Sequence, residues 1–289
     1  IGSYSDSFVS KNMLTCLLEA GIRYIDFEVF SINGVTSIST SSSDDVFTSH
    51  GGYNSIDINT IFNIIANTAF KSSINNKNDP LFIQIRIKSK RKNVYDDISN
   101  AIQKYLGPYL LSPEFSYYGR NLKHNIIYTP FHKLRKKIVI VVYEHADNIL
   151  DLTTLAEFTN IKLSDNMQRI RNVQTQNKKQ TIDRNKIQFS VVIPSIDTKK
   201  PTNYFIDVPL SKGYNVFCMN FQNSDNMLKD AINSFQNKAT RSFFIMKDTS
   251  LIPDIKQYSP EINKELVGVG TPTEGTINIL GTDIKVKTD

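Results

Sequence analysis

The 289-residue sequence has few of the residues that mark several common protein classes. Its two cysteines, Cys16 and Cys218, lie far apart in apolar neighbourhoods, which fits neither a disulfide framework nor a zinc site. We therefore expect both to be small core residues in a reducing, intracellular compartment. The 12 glycines and 10 prolines exclude collagen-like and low-complexity classes. The longest apolar run, residues 138–143, is much shorter than the roughly 20 residues of a membrane-spanning helix, so we expect no transmembrane segment.

Positive charge is in excess, with a net charge of +6, and it is densest in one short run. That run contains Arg86, Lys88, Lys90, Arg91 and Lys92. It predicts either a site for an anionic surface or protein partner, with nucleic acid not expected, or a solvated edge after a strand. The sequence also has 36 Ile, 28 Asn and 25 Lys but only 9 Arg, a bias typical of AT-rich genomes such as those of many protists and large DNA viruses.

Strand-like and helix-like patterns alternate along the chain, which indicates an α/β fold with a mainly parallel sheet. The patterns predict strands at 24–30, 81–87, 138–143, 187–193, 214–220 and 242–246, and helices at 58–70, 94–106 and 224–235. Residues 160–186 are polar and have almost no apolar periodicity, so they are the best candidate for a linker. The predicted divisions are a first half (1–159), the polar linker (160–186), a second half (187–250) and a C-terminal extension (251–289) with short β-like pieces at 277–280 and 284–286.

Two groups of motifs resemble the phosphoinositide-specific phospholipases C, whose catalytic barrel is split into X and Y halves by a polar linker. The X-like motifs are GIRYIDFEVF, FTSHGGYNSIDINTIFNIIANTAF and DPLFIQIRI, and the Y-like motifs are GYNVFCMNFQNSDNMLKDAINSF and RSFFIMK. Their order and spacing make the resemblance fairly specific. It implies a distorted (β/α)8 TIM-type barrel in which residues 1–159 form the X-like half and 187–250 form the Y-like half.

The resemblance also implies where catalytic groups should lie. The family cleaves a phosphodiester with a general base, a calcium ion and a pair of histidines. The second histidine matches His50, whereas the first aligns with the turn Ser3-Tyr4-Ser5, and tyrosine does not replace imidazole near pH 7 because its pKa is near 10. Two calcium-ligand positions fall on Asp26 and Glu28, in reversed order, and a third falls on Arg86.

The substrate-binding positions of the family are also changed. The phosphate-binding lysines of the X half fall near Val141 and Tyr143, and the Arg-x-Tyr-Pro motif of the Y half matches residues 191–194, of which the first three are apolar. Lys247 matches the family's lysine near the end of a Y-half strand. We therefore predict a loss of phosphate binding at this face, with Lys247 and the basic run as the remaining anion-binding candidates.

Two hypotheses follow for function. The first is a phospholipase-C-like barrel without catalysis, which acts as a binding or structural module. One such role is as a component of a large DNA virus particle that contacts other virion proteins. In this hypothesis Arg86 forms an internal salt bridge with Asp26 and Glu28, His50 only shapes a turn, and no metal or other cofactor binds. The alternative is an active phosphodiesterase for a phosphoinositide or glycerophosphodiester, with a variant calcium site around His50, Asp26 and Glu28. The other histidines, His124, His132 and His145, have no ligand spacing, and we expect them at the surface or an interface.

Overall fold

The structure is a computed structural model that describes residues 8–41, 51–117, 125–144, 149–163, 167–172, 180–195, 202–236, 244–252, 274–279 and 282–287. The chain divides into two compact units. The first unit is Ile1–Pro253 and the second is Asp254–Asp289. We describe each unit by itself.

The strands of the described residues are numbered here in chain order. They are β1 (Tyr24–Ile32), β2 (Val35–Ser39), β3 (Ile56–Asp57), β4 (Leu81–Ile87), β5 (Ile138–Glu144), β6 (Ile161–Lys162), β7 (Met167–Arg171), β8 (Phe189–Ile193), β9 (Val216–Phe217), β10 (Glu274–Ile279) and β11 (Thr282–Lys287). The α-helices are α1 (Lys11–Glu19), α2 (Ile58–Thr68), α3 (Lys92–Ala101), α4 (Leu155–Phe158), α5 (Gln180–Ile187), α6 (Asp207–Ser211) and α7 (Asn226–Gln236). A π-helical turn, Ile102–Leu106, continues α3 up to Gly107, where the sequence predicted its end.

The first unit contains two sheets. In the larger sheet the strand order is β3-β2-β1-β4-β5-β6, with parallel pairing from β1 through β4 and β5 to β6 and antiparallel pairing of β2 with β1 and β3. In the smaller sheet β7, β8 and β9 are parallel. The fold is therefore mixed α/β with mainly parallel sheets, as the alternating pattern predicted.

Each face of the larger sheet packs against its own apolar cluster. On the helix side, Leu18 of α1 and Phe62 of α2 are buried in one cluster with Ile85 of β4. On the other side, Phe82 of β4 is in a second cluster that also contains Phe189 of the smaller sheet. Because strand residues alternate between the two faces, residues two apart on β1 and β4 share this second face, which we call the inner face.

Local signals in the sequence explain where the first helices begin and end. Ser10 caps α1, since its Oγ accepts a hydrogen bond from the Met13 N–H, and Asp57 caps α2 by accepting one from the Thr60 N–H. After α1 the chain turns at Gly21, which has a φ of 95°. A Cβ atom there would lie 2.9 Å from Asn76 Oδ1, so both the backbone angle and the close approach require glycine.

The second unit contains an antiparallel hairpin of β10 and β11, in which Ile277 is paired with Ile284. The predicted pieces at 277–280 and 284–286 fall in this hairpin, although Leu280 lies outside the described residues. Among the described helices, none combines the length and apolar character needed to cross a membrane.

Several boundaries differ from the sequence predictions. The stretch 160–186 contains β6, β7 and most of α5, because its few apolar residues, such as Ile161 and Met167, are enough to pack short strands into the second cluster. Strand β8 begins at Phe189 rather than residue 187, since Ile187 ends α5 and is exposed. In 214–220 only Val216–Phe217 is paired, and residues 244–246 form no strand. No closed barrel is present in the described parts of the first unit, where the strands form two separate sheets.

Candidate functional site

The register of β1 and β4 brings the predicted site residues together. The two strands are parallel, with Glu28 opposite Arg86 and Asp26 opposite Gln84. Alternation places Asp26 and Glu28 on the inner face of β1, and Arg86 beside them on β4. Lys88, immediately after β4, lies close to the Glu28 carboxylate. Residues 60 positions apart in sequence therefore form one cluster.

Arg86 binds both carboxylates of the predicted calcium site. Its Nε donates to Asp26 Oδ1 at 2.7 Å and its Nη1 donates to Glu28 Oε1 at 2.8 Å. Arg86 is 2% exposed and Glu28 is 4% exposed, so the contact between them is a buried, charge-assisted hydrogen bond, whereas the bond to Asp26 is partly buried. The internal salt bridge expected from the sequence is thus present.

Further donors complete the cluster. Arg169 Nη2 on β7 lies 3.3 Å from Asp26 Oδ2, and Lys88 Nζ lies 3.7 Å from Glu28 Oε1. The Ser41 N–H and hydroxyl also donate to Glu28. Three cationic side chains therefore face two carboxylates. We call these five charged side chains (Asp26, Glu28, Arg86, Lys88 and Arg169) the inner ion cluster, and its formal charge is +1 when all five are ionised.

The electrostatics of the cluster keep Asp26 ionised. Burial raises the pKa of a carboxyl group, but the charges of Arg86 and Arg169 and the hydrogen bond from Arg86 outweigh it, and the pKa of Asp26 lies below its usual value. The Asp26 carboxylate therefore stays ionised and bound to Arg86 and Arg169, and it does not exchange protons near pH 7.

The inner ion cluster does not fit calcium. Calcium takes six to eight oxygen ligands, and the position beside Asp26 and Glu28 is filled by the Arg86 guanidinium instead. Within the parts of the chain that the structure describes, no group of three or more His, Cys, Asp or Glu side chains is arranged to hold a metal ion. Asp26 and Glu28 are therefore brought together as predicted, but as partners of arginine.

The basic run separates into a buried part and an exposed part. Lys88 was predicted to be an anion-binding candidate. Its side chain is instead fully buried beside Glu28, because Lys88 directly follows β4 and lies on the inner face. Lys90, Arg91 and Lys92 are exposed, and Lys92 pairs with Asp96 one helical turn later at 2.8 Å. Only this second part presents charge to solvent.

Lys247 lies in another part of the first unit. It is half-buried, and its Nζ donates to the carbonyl oxygen of Gly213. Burial lowers the pKa of Lys247 to about 8. Gly213 lies just before β9, so Lys247 contacts the chain near the start of that strand. The resemblance had matched Lys247 to the end of a strand.

The remaining predicted positions have mixed outcomes. His50, His124, His145 and the turn Ser3-Tyr4-Ser5 lie outside the described residues, so the predictions for them stay predictions. His132 is exposed, as expected. Val141 and residues 191–193 are buried apolar positions, which agrees with the loss of phosphate-binding groups there.

The two cysteines have different environments. Cys16 is exposed on α1, so its assignment to the core was wrong, because the apolar stripe of this short helix runs through Leu14 and Leu18 instead. Cys218 is half-buried, and burial raises the pKa of its thiol to about 12. It is therefore a protonated thiol at neutral pH, not a reactive thiolate.

Sequence reasoning missed Arg169 and Ser41 as members of the site. Arg169 lies in the stretch read as a linker, where only Arg169, Ile170 and Arg171 alternate between polar and apolar. This short alternation is compatible with a strand, but it does not indicate that Arg169 lies on the inner face. Ser41 follows β2 and carries no comparable signal, since its contact with Glu28 depends on how the chain leaves the sheet.

A second buried ion pair lies at the ends of β5 and β6. Lys162 Nζ is 2.9 Å from Glu144 Oε1 and 3.4 Å from Asp151 Oδ2. Glu144 also accepts a hydrogen bond from the Leu150 N–H. These contacts hold the turn at Leu150–Leu152 against β6, and they give Lys162, another residue of the predicted linker, a structural role.

No protein-family model and no curated protein sequence matches this chain. Solved structures do. The chain is similar to PLC21 from S. officinalis, with a TM-score of 0.66 and 16% sequence identity over 89% of this chain. It is also similar to PLC21 from L. pealei, with a TM-score of 0.63 and 15% identity over 85% of this chain. The matched regions are 38% and 36% of those two chains. The first unit therefore has a phospholipase-C-like fold, and at this identity the likeness concerns the fold alone.

Proposed function

We propose that the two sheets are the two arcs of a distorted (β/α)8 barrel of the phospholipase C type that has lost catalysis and acts as a binding or structural module. The observation that carries the proposal is the position of Arg86, which fills the space between Asp26 and Glu28. The arcs share an interior, since Phe82 and Phe189 stack with ring centroids 5.5 Å apart and Arg169 reaches Asp26 from the other sheet. This supports the barrel, whose inward side chains pack in layers.

Simple electrostatics explain why Arg86 opposes calcium. Two unit positive charges about 4 Å apart repel by about 4 kcal/mol at an effective dielectric of 20, and calcium carries two charges. The carboxylates that would offset this repulsion are already bonded to Arg86 and Arg169. The calcium-dependent route of the family therefore has no support in this inner ion cluster.

The catalytic groups suggested by the resemblance are incomplete as well. Acid–base catalysis by a positioned side chain contributes typically about 10²- to 10⁴-fold, and a bound metal contributes several kcal/mol more. With a tyrosine turn at the first histidine and an arginine at a calcium ligand, both contributions are removed together. His50 alone would supply one imidazole without its partner.

The test is an assay of inositol phosphate release from phosphatidylinositol and its phosphorylated forms, with and without calcium. We expect no release above background under either condition, and His50→Ala should behave as the unchanged protein does. If the protein instead turns over about one substrate per second and His50→Ala abolishes this activity, the alternative is established, a phosphodiesterase with a variant site.

A calcium titration tests the role of Arg86 directly. The unchanged protein should show no micromolar calcium binding by calorimetry. Arg86→Glu should gain affinity, because it restores a third carboxylate beside Asp26 and Glu28, and calcium should then raise the melting temperature of this variant. Arg91→Glu is the matched control, since it makes the same change of charge at an exposed position. Equal calcium affinity in both variants would contradict the proposed site.

The binding role assigns an anionic surface or an acidic protein partner to the exposed residues Lys90, Arg91 and Lys92. Changing the three to glutamine should weaken binding to anionic vesicles, and higher salt should weaken binding by the unchanged protein, because exposed charges are screened. A control with glutamine at the exposed Lys11, Lys71 and Lys229 carries the same total charge. Equal vesicle binding by the two triple variants would exclude the basic run as the contact. We further propose a place for such a module in a large DNA virus particle; the AT-rich type of composition fits such a source and fits protists equally.

A further inference from the structure

A large cavity lies at the starts of β1, β4 and β8. It is away from the opposite ends of β1 and β4, where Glu28 and Lys88 lie. Its volume is about 710 Å³, within the range of about 300–1,000 Å³ that is usual for small-molecule sites. Tyr24, Phe82 and Phe189, each at or near the start of a strand, line one side. Leu228 and Ala231 of α7 line another side. We call this space the strand-start cavity.

The walls of the cavity are mainly apolar. The rings of Tyr24 and Phe82 stack with centroids 6.2 Å apart, and Phe244 packs on Phe82 at 6.3 Å. Cys218 also lines the cavity and contributes a neutral thiol, because burial raises the pKa of that thiol. An apolar body of a ligand would bury favourably against these aromatic and aliphatic side chains.

Two cationic side chains in the wall bond to neutral groups. Lys247 Nζ donates to the Gly213 carbonyl oxygen, and the Arg23 guanidinium donates to the carbonyl oxygens of Ala69 and Asn76. Arg23 Nε is buried and has no hydrogen-bond partner in the described part of the chain. Asp79 acts electrostatically on Arg23 and partly offsets the effect of burial on the pKa of that guanidinium. For Lys247 the only cause of its lowered pKa is burial, and its Nζ bonds to a carbonyl oxygen, so an anionic group would be a better partner.

The two acidic residues in the wall do not cancel this positive charge. Asp26 is ion-paired to Arg86 and Arg169 in the inner ion cluster. Asp248 is exposed and accepts hydrogen bonds from Ser250. The available charge at the cavity is therefore the positive charge of Lys247.

We propose that the strand-start cavity binds a single-chain amphiphile, with its apolar chain among the aromatic residues and its anionic head group accepting a hydrogen bond from Lys247 Nζ. The size and apolar lining of the cavity favour an apolar ligand chain, and the half-buried Lys247 favours a negatively charged head group. A carboxylate and a phosphate share this chemistry. The proposal does not rest on the proposed function, although Asp26 belongs both to the cavity wall and to the inner ion cluster.

The experiment is calorimetric titration with four ten-carbon probes below their aggregation concentrations: decanoate, decyl phosphate, decanol and decylamine. Saturable one-to-one binding of decanoate or decyl phosphate is expected, with decanol at least about tenfold weaker and decylamine weaker still. The stronger of the two anions identifies the head group. Equal binding of all four probes, or no saturable binding of either anion, would overturn the proposal.

Variants test the position of the site. Lys247→Met keeps the length of the side chain and removes its charge, and it should weaken anion binding about tenfold or more while leaving decanol unchanged. Lys229→Met is the matched control, because Lys229 is exposed on α7 and does not line the cavity. Unchanged anion affinity in Lys247→Met, or an equal loss in Lys229→Met, would contradict the assignment.

A filling variant tests the apolar part. Ala231→Phe should occupy part of the cavity and weaken both decanoate and decanol, with a circular dichroism spectrum that matches the unchanged protein. Cys218→Phe probes the same space from the position directly after β9 and serves as the second variant if Ala231→Phe does not fold. Full decanoate affinity in a folded filling variant would place the binding elsewhere on the surface.

Discussion

The two ends of the inner face differ in what fills them. Toward the ends of β1 and β4, charged side chains close the interior, and Arg86 holds Asp26 and Glu28 together. Toward the strand starts, aromatic side chains such as Phe82 surround an open cavity. The end at which the resemblance places catalysis is thus filled by the protein's own guanidinium, whereas the opposite end has room for a ligand.

Under the proposed function, one change of residue alters the use of the fold. With an oxygen ligand at the position of Arg86, Asp26 and Glu28 would form an acidic site that needs a cation from solution. The Arg86 side chain is itself the cation that these two carboxylates bind. The resulting ion cluster costs desolvation, which buried ion pairs recover only when their hydrogen bonds are well made. Such a cluster fixes the relative positions of β1, β4 and β7, because each strand contributes a charged partner.

The largest effect that we expect comes from removing the central cation. Arg86→Met leaves two buried carboxylates without their main partner, and loss of one member of a buried pair typically costs about 3–5 kcal/mol in the free energy of unfolding. Urea unfolding followed by circular dichroism measures this loss. Lys92→Met is the control for an exposed pair, because the Lys92–Asp96 contact on α3 should be worth only about 0.3–0.5 kcal/mol.

A combined variant distinguishes loss of charge balance from loss of packing. Asp26→Asn, Glu28→Gln, Arg86→Met, Lys88→Met and Arg169→Met together remove all five charges of the inner ion cluster and keep the side-chain sizes similar. This variant should be more stable than Arg86→Met alone, because no buried charge is left without its partner. Equal or lower stability would mean that the guanidinium acts mainly by filling space.

A smaller effect is expected from Asp26 alone, and it should depend on pH. Its pKa in the folded state lies below the unfolded value of about 3.9, so its charge stabilises the protein above about pH 4, and that contribution is lost as pH falls through the folded-state pKa. Asp26→Asn should cost about 1.5–3 kcal/mol at pH 7, the usual range for a hydrogen bond to a charged group. The difference from the unchanged protein should shrink as pH falls below about 4. A difference that stays constant down to pH 2 would contradict the charged state of Asp26.

Much of the first unit could be predicted from its sequence. Leu81–Ile87 is a run of apolar and alternating residues, and the structure contains a strand with those same bounds. The approach of Arg86 to Asp26 also followed from the alignment, because neighbouring parallel strands place their inward residues side by side. These predictions rest on local periodicity or on a resemblance that spans most of the chain.

Other features depend on contacts that the sequence does not specify. Strand β7 is short and contains Gln168, Arg169 and Arg171 among its five residues, so its composition resembled a linker. Lys247 was matched to a strand end, but the residues around it form no strand and instead bring its Nζ to Gly213. The strand-start cavity results from this placement of the chain, which no motif indicates.

The smallest effect concerns Lys247, at the cavity end of the comparison. Its pKa in the folded state is about 8, below the usual value of about 10.4, so between these values the unfolded chain binds more protons than the folded one. The free energy of unfolding should therefore rise with pH in this window, relative to Lys247→Met, which cannot titrate. The size of the effect is limited, because the side chain is only half-buried and water screens its charge. Urea unfolding at pH 7 and pH 10 measures it, with Lys229→Met as the exposed control. If the two lysine variants show the same pH dependence, Lys247 is hydrated, and the strand-start cavity lacks the buried cation that would select an anionic ligand.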